Sequence, residues 1–299
     1  MIEQTHIIGS GAIGSLLAAN AQLQKMNLVR HVRDTVVNTV TLRDGENVHL
    51  NTAINDWQQP KQGLALVILP LKSYQIVPAL EQYLASIPTG SAIVLMHNGM
   101  GCFEHVANLL ANHYVFLATT SHGAFKPSNS KCIHTGLGTT NIGTAGSRKN
   151  NQISNAILSW FEQVLPPVTW QANIYHALWH KLAINALINP LTALHDIRNG
   201  ELLDEQFTSI LEALAGELAN VTDAEGIELD KDQILTKTNA VIEATASNYS
   251  SMHQDVKHQK RTEIDAITGY ILQRADKHAI KCPTHRALYE KVVALLPAY

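Results

Sequence analysis

A lysine and two asparagines recur every fourth residue through the stretch HKLAINALINPLTAL, at Lys181, Asn185 and Asn189. Residues four apart on a helix share a face. The stretch is otherwise mostly apolar, with Leu182, Ile184, Leu187 and Ile188 turned to other faces. An ammonium and two amides on a helix bound for a protein interior need partners. A small polar ligand would supply them. The alternative is that Lys181 snorkels to water while the amides cap or bond locally. Pro190 lacks an N–H and is expected to bend or end the helix nearby.

A second constellation opens the chain. Gly9, Gly11 and Gly14 form G-x-G-x-x-G, with Ser10, Ala12 and Ile13 between them. The pattern follows the apolar run THII and leads into helix-forming residues, the context a dinucleotide fingerprint requires. Gly9 would permit a tight turn, Gly11 the approach of a pyrophosphate, and Gly14 close packing of helix on strand. The helix N-terminus would offer N–H groups and a partial positive charge to the phosphates. At the end of the next predicted strand stand Arg30, His31 and Arg33 before Asp34. A guanidinium there can bind a 2′-phosphate with two parallel bonds. This favours NADP(H) over NAD(H), with Arg33 as the contact. Asp34 argues the other way, and both arginines could be solvated surface charges.

These residues need elements to hold them. The segment 14–26 predicts a helix and NLVRHVR a second strand. LALVILPL at 64–71 is a continuous apolar run, suited to a parallel strand covered on both faces. SAIVLMHNGMG at 91–101 and YVFLATTSHGAF at 114–125 repeat the theme, and 133–145 suggests antiparallel edge strands. From residue 151 helical patterns dominate, over 151–165, 175–195, 205–225, 231–247, 251–279 and 284–296. Gly226 and Pro283 mark breaks. The expected architecture is an α/β Rossmann-type domain with a mostly parallel sheet over 1–168, then an all-helical domain over 169–299. Trp160, Trp170 and Trp179 read as packing residues, since no basic stripe accompanies them.

Composition excludes several classes. The formal net charge of −3 gives no basic field for nucleic acid. Cys102, Cys132 and Cys282 lack CxxC spacing, so neither a disulfide framework nor a zinc site is expected. Fifteen histidines occur without HExxH or another ligand set, and no bound metal is expected. No apolar run reaches transmembrane length, and the N-terminus lacks a signal-peptide pattern. A cytoplasmic protein is expected.

The motifs IIGSGAIGS, LPLKSYQ, LMHNGMG, ALWHKLAINALINPLTAL, RNGEL, SSMHQD and RTEIDAITGYI occur in this order. Together they resemble the ketopantoate reductase (2-dehydropantoate 2-reductase) family from the first strand to about residue 283. The resemblance implies a Rossmann domain followed by a helical one, with the active site in the cleft between. It implies NADPH-dependent reduction of 2-dehydropantoate to pantoate, a step towards pantothenate and coenzyme A. Lys181 would be the general acid and a substrate contact. Asn185, Asn189 and Asn199 would hold substrate, as would Ser251, with Ser250 adjacent. Asn98 would touch both cofactor and substrate. Lys72, Ala124 (through its backbone) and Glu263 would contact the cofactor, with Glu263 near a ribose. Ser251 and Glu263, twelve apart, would lie roughly a third of a turn out of phase on one straight helix. The implied partner is a small 2-keto acid, with the protein a monomer or homodimer. The competing expectations are a related NADP-linked 2-hydroxyacid dehydrogenase with another substrate, and a dinucleotide-sensing protein without turnover.

Overall fold

The computed structural model describes residues 2–32, 37–51 and 63–297. Contacts divide the chain into two units, Met1–His97 with Cys102–Ile174, and Asn98–Gly101 with Tyr175–Tyr299. In the first unit β1 (Ile2–Ile8), α1 (Ala12–Leu23) and β2 (Leu28–His31) realise the expected strand, glycine turn, helix and strand. Two short strands follow, β3 (Thr39–Thr41) and β4 (Asn47–His49), then β5 (Leu64–Leu69) and α2 (Ser73–Tyr83). Next come β6 (Ala92–Leu95), α3 (Cys102–Val106) and β7 (Tyr114–Thr120). The unit ends with β8 (Gly123–Phe125), β9 (Lys131–Gly136), β10 (Thr140–Thr144), α4 (Asn151–Val164) and β11 (Val168–Trp170).

Among the described residues the main sheet has seven strands, in the order β11-β10-β7-β6-β5-β1-β2. All neighbouring pairs are parallel except β10 with β7. β5 is an unbroken apolar run because its odd and even residues are both buried, as in a strand covered on two faces. Leu16 and Leu17 of α1 and Ile157 and Phe161 of α4 join Ile7, Leu66, Val94 and Phe116 in one core. The chain leaves β1 for β2 on one side and later returns to β5 on the other. The carboxyl ends of β1 and β5 therefore form a switch point, where open α/β sheets bind ligands.

A second sheet was not expected. It has the order β4-β3-β9-β8 and packs on α1. The predicted edge segment 133–145 is divided between the two sheets. Its first part lies in β9, which pairs antiparallel with β8 but parallel with β3. Its second part is β10, antiparallel to β7 in the main sheet.

The second unit takes in most of α5 (Ile174–His195) and all of α6 (Thr208–Ala224), α7 (Lys231–Ala244), α8 (Ser251–Lys257), α9 (Tyr270–Lys277) and α10 (Pro283–Val293). The helix holding Pro190 runs on to His195, where the pattern over 175–195 also ends. One expectation is corrected here: 251–279 is not one helix. α8 closes where Gln259 takes a left-handed φ of +52° and the Lys260 N–H reaches the Asp255 carbonyl at 2.8 Å. This reverse bond caps the last turn and redirects the chain. A five-residue π-helical stretch, Asp265–Gly269, then leads into α9. The breaks at Gly226 (φ +70°) and Pro283, the first residue of α10, fall as expected. The three tryptophans pack on aromatic neighbours: Trp160 on Phe161, Trp170 on Phe116, Trp179 on Tyr270. Among the described residues, no helix is long and apolar enough to cross a membrane, and no cluster of His, Cys, Asp and Glu could hold a metal ion.

Candidate functional site

The glycine turn links β1 to α1 at the switch point. Gly9 has φ +117°, a conformation that side-chain-bearing residues rarely adopt. A Cβ on Gly14 would stand 2.9 Å from the Gly9 carbonyl oxygen and 3.0 Å from Pro70 Cγ, so this position tolerates only hydrogen. Pro70 follows β5, so the contact ties the two strand ends together. The first turn of α1 carries no acidic residue, and Gly11 at its N-cap offers no side-chain acceptor. The first turn of α1 thus keeps the partial positive charge that suits a phosphate. Lys72 precedes α2 at the carboxyl end of β5, and its backbone N–H donates to Gln75 Oε1 at 3.2 Å. Ala124 lies in β8, paired with His134.

The basic residues at the end of β2 have separate fates. Arg30 is neither solvated nor turned outward. It is buried, and its guanidinium donates to the carbonyls of Asn51 at 2.8 Å and Val37 at 2.9 Å. His31 stacks on His6, with 2.9 Å between ring nitrogens. Burial holds His31 down at about 4; burial and the neighbouring His31 hold His6 at about 3. Both rings are neutral at physiological pH and supply no phosphate charge. Arg33 and Asp34 lie outside the described residues.

In the second unit α5 carries the polar stripe. Lys181 and Asn185 are half-buried and Asn189 is buried, while Leu182, Leu187 and Ile188 pack into the interior. Burial pushes the Lys181 ammonium down to about 8, and the Glu263 carboxylate opposes that fall. Glu263 is itself buried and accepts a hydrogen bond from Asn98 Nδ2 at 3.2 Å. Lys181, Asn98 and Glu263 are therefore neighbours in one unit. Sequence spacing could not join them, because the turn holding Asn98 follows a strand of the other unit. Backbone geometry fixes that turn on the π-helical stretch. The Met100 N–H donates to the Ala266 carbonyl at 2.8 Å. Gly99 has φ +79°, and a Cβ there would come within 2.3 Å of the same oxygen. The glycine of HNGMG is thus required by close approach of two backbones.

The remaining candidates sit around the later turns of α5. The Thr192 hydroxyl donates to Ser250 Oγ at 2.7 Å and lies 3.1 Å from the Asn189 carbonyl oxygen. This brings the start of α8 beside the Asn189 turn. Ser250 is buried as the N-cap of α8 and accepts from the His253 N–H at 3.1 Å, whereas Ser251 is exposed. Asn199 Nδ2 donates to Thr245 Oγ1 at 2.9 Å. Among the described residues its Oδ1 is buried without a hydrogen-bond partner, an arrangement costly unless a ligand supplies a donor.

The comparisons with known proteins agree along the chain. The profile described as ketopantoate reductase PanE/ApbA matches residues 5–147, and its C-terminal counterpart matches 173–295. A 2-dehydropantoate 2-reductase of Vibrio cholerae serotype O1 is 36% identical over 97% of this chain and 96% of its own length. The crystal structure of a probable 2-dehydropantoate 2-reductase from Bacillus subtilis superposes with a TM-score of 0.79 at 25% identity, covering 98% of this chain and 99% of that one. The ternary structure of D-mandelate dehydrogenase with NADH and anilino(oxo)acetate shares the fold, with a TM-score of 0.87 at 21% identity and 98% coverage of both chains. On this evidence the chain belongs to the ketopantoate reductase family.

Proposed function

We propose that the protein reduces 2-dehydropantoate to pantoate with NADPH, and that Lys181 is the proton donor. The observation that carries this reading is the desolvated ammonium of Lys181, held beside the Glu263 carboxylate on a helix whose next two turns present Asn185 and Asn189. Its depressed pKa leaves it protonated at neutral pH yet willing to part with the proton, as a general acid requires.

The first unit fits a dinucleotide. Its uncapped helix N-terminus, the left-handed Gly9 and the hydrogen-only position at Gly14 make a phosphate cradle. Gly9, Ser10, Gly11, Ala12, Ile13 and Gly14 would hold the pyrophosphate, with Lys72 and the Ala124 backbone as further contacts and Arg33 on the 2′-phosphate. When bound, the nicotinamide supplies the hydride. Lys181 stabilises the negative charge that develops on the ketone oxygen and then protonates that oxygen. Glu263 keeps Lys181 charged until then, beyond its family role beside the ribose. Asn98 donates to Glu263 and orients it. Asn185, Asn189, Asn199 and Ser251 hold the carboxylate and hydroxyl of the substrate. The buried Asn199 Oδ1 would accept from that hydroxyl. The same reading makes the protein a cytoplasmic monomer or homodimer acting on a small 2-keto acid, with no nucleic-acid partner.

Replacing Lys181 by Ala tests the assignment. The variant should bind NADPH as the parent does and lose about 10²–10⁴-fold in kcat. A near-normal kcat would remove Lys181 from the mechanism. The fold shared with D-mandelate dehydrogenase favours one second reading, a 2-keto acid reductase of different side-chain preference.

A further inference from the structure

The small sheet delivers a cation to the glycine turn that the glycine pattern itself does not contain. Lys126 directly follows β8, and β8 and β9 pack on α1. The Lys126 ammonium donates to the Ser10 carbonyl oxygen at 3.2 Å, joining residues 116 apart in sequence. Cys132 of β9 stands on the same backbone, its thiol donating to the Ala12 carbonyl at 3.5 Å. Burial raises that thiol to about 11, while the charge of Lys126 acts against the rise, which places the ammonium near Cys132 as well. Ser10 is the middle residue of the G-S-G turn, where a dinucleotide's pyrophosphate comes closest to the backbone.

We propose that Lys126 is a binding residue for the bridging pyrophosphate of the dinucleotide, an inference that rests on the cofactor reading above. An ammonium has three N–H donors, so it can hold the Ser10 carbonyl and a phosphate oxygen at once. It adds a full charge to a helix N-terminus worth only about half of one. It also keeps the turn in its binding conformation before the ligand arrives, which lowers the ordering cost. The geometry favours the pyrophosphate over the 2′-phosphate. Lys126 lies on the β1–α1 turn, whereas the adenosine ribose belongs at the end of β2.

The test is calorimetric titration of the full-length protein with NADPH and, separately, with NADH, at about 0.05 M and about 0.5 M salt. Lys126→Met should weaken both ligands by a similar factor, about tenfold at low salt, with the gap narrowing at high salt. Lys126→Arg should restore most of the affinity. Thermal melts of the ligand-free variants monitor folding, and Lys126→Gln replaces the Met variant if that one melts early. Unchanged affinity for both dinucleotides overturns the proposal. A loss confined to NADPH also overturns it, by moving Lys126 to the 2′-phosphate. Failure of the unmodified protein to bind either dinucleotide instead overturns the cofactor reading on which the proposal stands.

Discussion

An ammonium on a half-buried helix face loses hydration, and its charged form becomes harder to keep. For Lys181 burial wins over the attraction of Glu263, and the group settles at about 8. The acid form is present below that value and is lost as pH rises through it. The rate should therefore fall above about pH 8, seen in kcat/KM, which reports the free enzyme. Because Glu263 raises the Lys181 value, Glu263→Gln should move this alkaline limb to lower pH. A limb that stays in place, or moves upward, would separate Glu263 from Lys181. The Lys181 stripe was legible from spacing alone, since a four-residue repeat of polar groups in apolar sequence is a helix-face signal. The pairing of Asn98 with Glu263 was not. It depends on a turn and a π-helical stretch that meet only after folding.

At the scale of elements, helix starts and stops explain where the sequence was clear and where it was silent. Gly226 and Pro283 announced their breaks because glycine and proline change the backbone's options directly. Among the described residues, four other helices end on non-glycine residues with left-handed φ: Lys25, Asp196, Gln259 and Ala279. In each, the following N–H bonds back five residues: Met26 to Ala21, Ile197 to Thr192, Lys260 to Asp255 and Ile280 to Ala275. No residue type marks such stops, so 251–279 reads as one helix in sequence although it folds as two, α8 and a continuous π-helical stretch with α9. Ala279 is exposed, so replacing it with Gly should relieve left-handed strain. A gain of about 0.5–1 kcal/mol in urea unfolding is expected, and a clear loss would contradict this account of the stop.

The start of α10 makes a second element-scale prediction. Glu217 accepts from the Thr284 N–H at 2.7 Å, the His285 N–H at 3.0 Å and His285 Nδ1 at 2.9 Å. Burial alone would raise its carboxyl, but these hydrogen bonds outweigh burial and hold it down at about 2. Its contribution is present above the ordinary carboxylate range and is lost as pH falls towards about 2. Glu217→Gln should cost about 1–3 kcal/mol at neutral pH and flatten the acid limb of stability between about pH 4.5 and pH 2. An unchanged acid limb would show that Glu217 does not staple α10 to α6.

For the whole molecule, composition and periodicity gave the α/β-then-helical order, because buried parallel strands and amphipathic helices leave different hydrophobic patterns. They did not give the second sheet, whose strands of three to six residues come from distant parts of the chain. Short strands carry too few residues for a period to register. That sheet places Lys126 at the glycine turn, so the contact was invisible for the same reason. Fold alone does not select the substrate, as the likeness to D-mandelate dehydrogenase illustrates. The most direct test is the rate of NADPH oxidation with 2-dehydropantoate, set against NADH with the same substrate and NADPH with phenylglyoxylate, the keto acid of mandelate. The account predicts that NADPH with 2-dehydropantoate has by far the highest kcat/KM. Equal or faster turnover of phenylglyoxylate, or no turnover of 2-dehydropantoate, would contradict it.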